Sequence, residues 1–332
     1  MTMLLNLIYT VVGATLVLIG ANKLTDGSVG LAKRFGIPEL VIGLTVVAFG
    51  TSLPEFIVSL LAGIRNDVAS SALSISNVVG SNLFNTLVIA GVSAVFCPIA
   101  ISRSTVNKDI PLCILASTVL MALALDDIVS GGSERFLTRG DGVALLAFFI
   151  IFMSYSLGLA KHRSRREAEN GEVEAVAPDD TAEMPMSGLR IALYIVLGLA
   201  GLLGGGQLFV NGACGVAREA GVSEAVIGLT LVAGGTSLPE LATSIVAARK
   251  GQSALAIGNV VGSNLFNIFW ILGACSCIMP LPVTGLTPLD FLMLLGSSVC
   301  FWLFSRTSYR LARWEGALMA SAYVVYIIWL IY

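Results

Sequence analysis

Fifteen residues at 41–55, VIGLTVVAFGTSLPE, return at 226–240 as VIGLTLVAGGTSLPE, with changes at only two positions. Each copy lies within a long apolar stretch and ends on a glutamate, Glu55 or Glu240. The offset of 185 extends upstream, where Asp26-Gly27 matches Asn211-Gly212, Gly36 matches Gly221 and Glu39 matches Glu224. Downstream, NVVGSNLFN is identical at 77–85 and 259–267, at an offset of 182. The first copy therefore carries three extra residues in the short link after Leu61. A duplicated chain must fold as two related halves, and the glutamates demand an explanation. An ionisable residue at mid-bilayer costs roughly 2.5–3.5 kcal/mol on insertion scales.

The setting is a membrane. Only 12% of the 332 residues are charged and 56% are hydrophobic, where soluble domains carry about 25% charge. Water-soluble and nucleic-acid-binding classes are set aside. A span needs about 20 apolar residues, and ten stretches qualify: 3–30, 38–63, 70–97, 109–126, 141–160, 188–212, 224–248, 252–279, 287–305 and 314–332. The first lacks a preceding basic region and a small-residue cleavage site, so it reads as a retained span. The six cysteines are scattered and match no zinc or iron–sulfur spacing.

Ten spans place both termini on one side, and lysine and arginine bias decides which. With the termini outside, the inner loops and adjoining span ends hold Lys33, Arg34, Arg103, Lys108, Lys161, Arg163, Arg165, Arg166, Arg190, Arg249, Lys250, Arg306, Arg310 and Arg313. The outer loops hold only Arg65, Arg135, Arg139 and Arg218. The termini are expected outside and the linker 161–187 in the cytoplasm. That linker opens on KHRSRR and then turns acidic, a composition that favours disorder. Its basic stretch suits contact with anionic lipid.

The expected organisation is therefore a first five-helix half over 1–160, with its repeat segment at 38–97, and a second over 188–332, with its repeat segment at 224–279. Five is odd, so the second half enters the membrane upside down. This all-α, inverted-repeat design is that of secondary transporters, whose substrate site lies at the midplane between the halves. A channel more often uses a symmetric oligomeric pore.

The motifs supply oxygen. Pro54 and Pro239 lack an N–H and crowd the carbonyls of Gly50 and Gly235, four residues back. Freed carbonyls at membrane depth require a cavity or an ion. Thr51, Ser52, Thr236 and Ser237 add hydroxyls, and Glu55 and Glu240 add charge. In the next span Ser81 and Asn85 share a helix face, as do Ser263 and Asn267. Asn77, Asn259, Asn82 and Asn264 read equally as ligands or as interhelical hydrogen-bond partners. Gly80 and Gly262 allow close approach to the GTSLPE helix. Carboxylate, hydroxyl and carbonyl oxygens without histidine or thiolate suit a hard cation such as sodium or calcium. The only histidine, His162, falls in the linker, and the aspartates cluster near loops, so an intramembrane hydrolase lacks its parts.

Two carboxylates carry −2, which balances one divalent cation or two monovalent ones. An empty pair in a low-dielectric cavity bears several kcal/mol of desolvation cost, and loading either cation relieves it. That favours antiport over uniport.

The paired GTSLPE and GSN-x-x-N segments resemble the alpha-repeats of the sodium/calcium exchanger family, within the calcium:cation antiporter superfamily. The similarity covers nearly the whole chain and is nearest to compact prokaryotic members. It implies a ten-helix exchanger fold with four ion positions in a diamond, and a bacterial or archaeal cytoplasmic membrane. Glu55 and Glu240 would be central ligands, flanked by Thr51, Ser52, Thr236 and Ser237. Ser81, Asn85, Ser263 and Asn267 would complete the ring, and the carbonyls of Ala48 and Ala233 would cap the outer positions. The resemblance further implies sodium entry driving calcium export, with the first span of each half sliding across a rigid core. It requires no cofactor, and one copy suffices for transport. Asparagine at both 85 and 267, where some relatives including potassium-dependent ones carry aspartate, favours potassium independence. The calcium-sensing domains of animal relatives are absent. Proton-coupled relatives show a different glutamate motif, which ranks a calcium/proton antiporter second.

Overall fold

The computed structural model describes residues 3–64, 68–126, 135–170, 186–222, 227 and 234–331. The protein is built from helices: α1 (Met3–Phe35), α2 (Glu39–Thr51), α3 (Leu53–Ile64), α4 (68–96), α5 (Thr105–Ala124), α6 (Arg139–Asn170), α7 (Gly188–Glu219), α8 (Leu238–Arg249), α9 (Ser253–Ile278), α10 (Pro288–Ser308) and α11 (Arg313–Ile331). Among the described residues, seven of these are long and apolar enough to cross a membrane, and α2 with α3 forms an eighth candidate, bent by 46°. The two other expected spans correspond to α11 and to α8, whose preceding residues 228–233 lie outside the described set.

The halves are related by inversion. Helices α1 and α7 open the two halves, and they pack antiparallel. A Cβ added at Gly13 would meet the backbone of Phe209 and Gly205, while one at Gly198 would meet Leu24 and Gly20. Moving each residue to its repeat mate, by adding 185 to Gly13 and subtracting 185 from Phe209 and Gly205, turns the first set of contacts into the second, as a two-fold axis requires. Both helices end alike. Gly36 (φ +60°) and Gly221 (φ +81°) take the left-handed conformation that glycine accepts at no steric cost. Ile37 N–H then bonds Ala32 O and Val222 N–H bonds Ala217 O, each at 3.0 Å, closing Schellman caps. Two short antiparallel strand pairs repeat the relation at the rims: Ile99–Ala100 with Arg310–Leu311, and Phe136–Leu137 with Leu281–Pro282.

The motif helices form the centre. In α9, 94% of the apolar stretch is buried, and in α4 72%, against 22–39% in the other five long helices. Glycine lets α2 lie directly on α9. A Cβ at Gly43 would sit 2.7 Å from Leu255 O, at Gly258 2.7 Å from Leu40 O, and at Gly262 2.7 Å from Leu44 O. Gly262 thus makes the close approach expected of it. For Gly80 the matching neighbours, 229 and 233, are outside the described residues.

One expectation is corrected and one is sharpened. The composition of 161–187 favours disorder, but α6 continues through its first ten residues to Asn170. Lys, Arg, Glu and Ala are strong helix formers, and no glycine or proline interrupts them before Gly171. The break expected at GTSLPE is present, and its proline stands in the first turn of the following helix, where its missing N–H would have no partner anyway. The break falls on the serine before it, with Ser52 at φ −81°, ψ 7° and Ser237 at φ −91°, ψ 9°.

The sequence also gives no sign of π-helical turns. Among the described residues they occupy Thr105–Asp109 in α5, Gly43–Val47 in α2, Phe84–Ile89 in α4 and Phe266–Leu272 in α9. The last two begin at repeat-related positions, one residue before Asn85 and Asn267. Such turns gather at functional sites because they widen the helix and re-aim side chains.

Candidate cation site

Glu55 stands in the first turn of α3 and Glu240 in the first turn of α8. They are 1% and 0% exposed. Each is held by a serine of the other half. Ser237 Oγ donates to Glu55 Oε1 at 2.9 Å, and Ser52 Oγ donates to Glu240 Oε1 at 3.1 Å. Ser81 Oγ lies 3.4 Å from Glu55 Oε1 and 3.2 Å from Ser237 Oγ. The two helix breaks are therefore brought face to face, with α4 closing one side.

Behind this cluster one bonding pattern occurs twice. Asn77 Nδ2 donates to Glu55 O (3.4 Å) and Ser59 Oγ (3.1 Å). Asn259 Nδ2 donates to Glu240 O (3.2 Å) and Ser244 Oγ (3.0 Å). These asparagines hold the backbone of the glutamate helices. Ser59 and Ser244 escaped the sequence reading, although both stand four residues after a motif glutamate, at the same offset of 185. Asn259 does more than its mate, because its Oδ1 also lies 3.2 Å from Thr51 Oγ1. It is fully buried, where Asn77 is half-buried. Asn259→Leu should therefore cost about 2–3 kcal/mol by stranding buried polar groups, and more than Asn77→Leu. Thermal unfolding in detergent checks the order; equal melting temperatures would contradict the pattern.

The remaining expected residues are placed as follows. Thr51 Oγ1 lies 3.1 Å from Val47 O and 3.5 Å from Ala48 O. Ala48 is buried, and its carbonyl also accepts the Ser52 N–H at 3.0 Å. Ala233 lies outside the described residues. Thr236 is half-buried, and Ser263, Asn85 and Asn267 are buried.

Of the ten side chains expected as ligands, six carry a buried oxygen with no hydrogen-bond partner among the described residues: Glu55 Oε2, Glu240 Oε2, Asn85 Oδ1, Asn267 Oδ1, Ser263 Oγ and Thr236 Oγ1. A buried polar atom left unpaired costs about 1–3 kcal/mol, more when charged. Six on one set of residues form a donor set that a hard cation would satisfy. Among the described residues no three His, Cys, Asp or Glu side chains converge, so this chemistry is mixed oxygen with two carboxyls.

Known proteins resemble this chain along its length. The family model described as sodium/calcium exchanger protein matches residues 5–158 and 190–332. Inner membrane protein YrbG of Escherichia coli is 34% identical over 329 residues, covering 98% of this chain and 96% of that protein. Sodium/calcium exchanger MaX1 of Methanosarcina acetivorans is 29% identical over 352 residues, covering 98% and 99%. A solved structure of the sodium-calcium exchanger NCX_Mj, soaked with sodium and without calcium, matches with a TM-score of 0.79 and 32% identity, covering 98% of this chain and 99% of that one.

Proposed function

Because this chain belongs to the sodium/calcium exchanger family, we propose that it carries calcium across a membrane in exchange for sodium, by alternating access to the site between its halves. The observation that carries this reading is the reciprocal holding of Glu55 by Ser237 and Glu240 by Ser52, with an outer oxygen of each carboxyl left unpartnered among the described residues. The two glutamates are the charged ligands. Thr51, Ser52, Thr236, Ser237, Ser81, Asn85, Ser263 and Asn267 complete the cage, with the Ala48 and Ala233 carbonyls at its ends. One calcium or two sodium ions neutralise the pair, so either loaded state can be enclosed while the bare state resists it.

Helices α1 and α7 suit the moving part. Only 22% of the apolar stretch of each is buried, and glycine contacts join the two closely to one another. The ion pair between Lys250 Nζ and Asp26 Oδ1, at 2.6 Å, ties α1 to the end of α8. It is partly exposed on both sides, and such pairs are worth about 0–1 kcal/mol, a tie weak enough to part. The halves divide at the 161–187 linker, which faces the cytoplasm with both termini opposite, in the cytoplasmic membrane. One copy contains the whole site.

Calcium-45 uptake into proteoliposomes separates this reading from proton coupling. An outward sodium gradient imposed without a pH gradient should drive uptake, and potassium should leave it unchanged. Uptake that ignores sodium and follows a pH gradient would reject sodium coupling and favour the calcium/proton alternative.

A further inference from the structure

We propose that Asn82 orients the amide of Asn267, so that its oxygen rather than its NH2 faces the cage; the inference rests on the site reading above. An asparagine amide is two-faced. Its oxygen can coordinate a cation, while its NH2 repels one, and turning it by 180° changes almost nothing in shape. Something must decide which face the site meets.

Asn267 Nδ2 donates to Asn82 Oδ1 at 2.9 Å. Asn82 cannot simply turn over, because its own Nδ2 donates to Asn264 O at 3.1 Å. Both side chains are 1% exposed, so water does not compete. With its nitrogen engaged, Asn267 keeps Oδ1 buried and without a partner among the described residues. One fixed amide thus sets the next.

The repeat mate of Asn82 is Asn264, and it is used differently. Its Nδ2 donates to Thr86 Oγ1 at 2.8 Å, while its Oδ1 has no partner among the described residues. Thr86 has Ile268 as its own repeat mate, so this arrangement occurs on one side only. Asn264 therefore does not orient Asn85 as Asn82 orients Asn267. Asn82 and Asn264 thus serve different partners, although the nine residues around them are identical.

The test is a double-mutant cycle read by equilibrium calcium-45 binding to the purified full-length protein. Asn82→Leu, close in shape to asparagine, should weaken calcium binding about tenfold, the usual scale for loss of a residue that orients a metal ligand. Asn264→Leu should weaken it less than twofold. In an Asn267→Asp background either oxygen of the carboxylate serves, so adding Asn82→Leu should change calcium affinity less than twofold. In an Asn267→Ala background there is no amide to orient, and the same null result is expected. A tenfold loss that persists in both backgrounds would overturn the inference and leave Asn82 with a packing role. Asn82→Ala removes the same acceptor and carries the cycle should the leucine variant fail to assemble. Glu55→Gln and Glu240→Gln serve as separate controls. Were they to bind calcium normally, the cage reading itself would fail, whatever Asn82 does.

Discussion

Replacing either Glu55 or Glu240 by glutamine should lower calcium exchange by two to three orders of magnitude while the protein still folds. Each carboxyl is buried and held by a serine of the opposite half. Removing one partner of a buried charged assembly costs about 3–5 kcal/mol, and each 1.4 kcal/mol is tenfold. That loss falls on the ion-bound state, because the carboxylate is matched by the cation. The unloaded protein sheds a buried charge and keeps its amide-to-serine bonds, so its melting temperature should hold or rise. Calcium-45 flux in proteoliposomes and thermal unfolding of the same preparations check both halves of the statement. Normal flux in both variants would remove these residues from the site. Lost flux with a collapsed fold would make them structural.

The second large effect concerns packing. Gly258→Val should lower the melting temperature by roughly 10 °C and abolish exchange. An added Cβ would lie 2.7 Å from Leu40 O and 3.0 Å from Gly43 Cα, and both are backbone atoms that cannot swing away. Forcing extra carbon into a well-packed core costs about 1–3 kcal/mol and sometimes more. Here it also parts α2 from α9, displacing Thr51 from Asn259. Gly296→Ala is the control, since nothing lies within 4 Å of its added Cβ. It should be neutral or slightly stabilising, as alanine is the better helix former. A Gly258→Val protein as stable as wild type would contradict the direct backbone contact.

Much of this architecture could be read from the residues alone, for identifiable reasons. A glutamate in an apolar stretch is expensive, so Glu55 and Glu240 stood out. The duplicated motif paired them and, with five spans per half, implied inversion. Glycine matches such as Gly36 with Gly221 reappear as matching helix ends.

What stayed hidden depends on tertiary placement or on the backbone. Ser52 and Ser237 were legible as oxygen donors, but not as crossed partners of the opposite glutamates, because that bond exists only once the halves meet. Asn77 and Asn259 could have been ligands or interhelical partners; only the fold shows them bonded to the glutamate backbones. The π turns before Asn85 and Asn267 leave no trace in hydrophobic pattern, since a helix wider by one residue buries nearly the same face. Pro54 and Pro239 marked a break, but a proline that starts a helix has the same neighbours in sequence as one that bends it, so the start of the new helix was not legible. The composition of 161–170 pointed to a loop because charge suggests solvent, and a helix can extend into solvent when its residues favour it.

The most direct measurement is an anomalous difference map from crystals of the protein soaked with strontium, a calcium substitute visible by its anomalous scattering. The account predicts a peak flanked by the carboxyl groups of both Glu55 and Glu240. A strong peak elsewhere in the protein, with none between those two side chains, would contradict it.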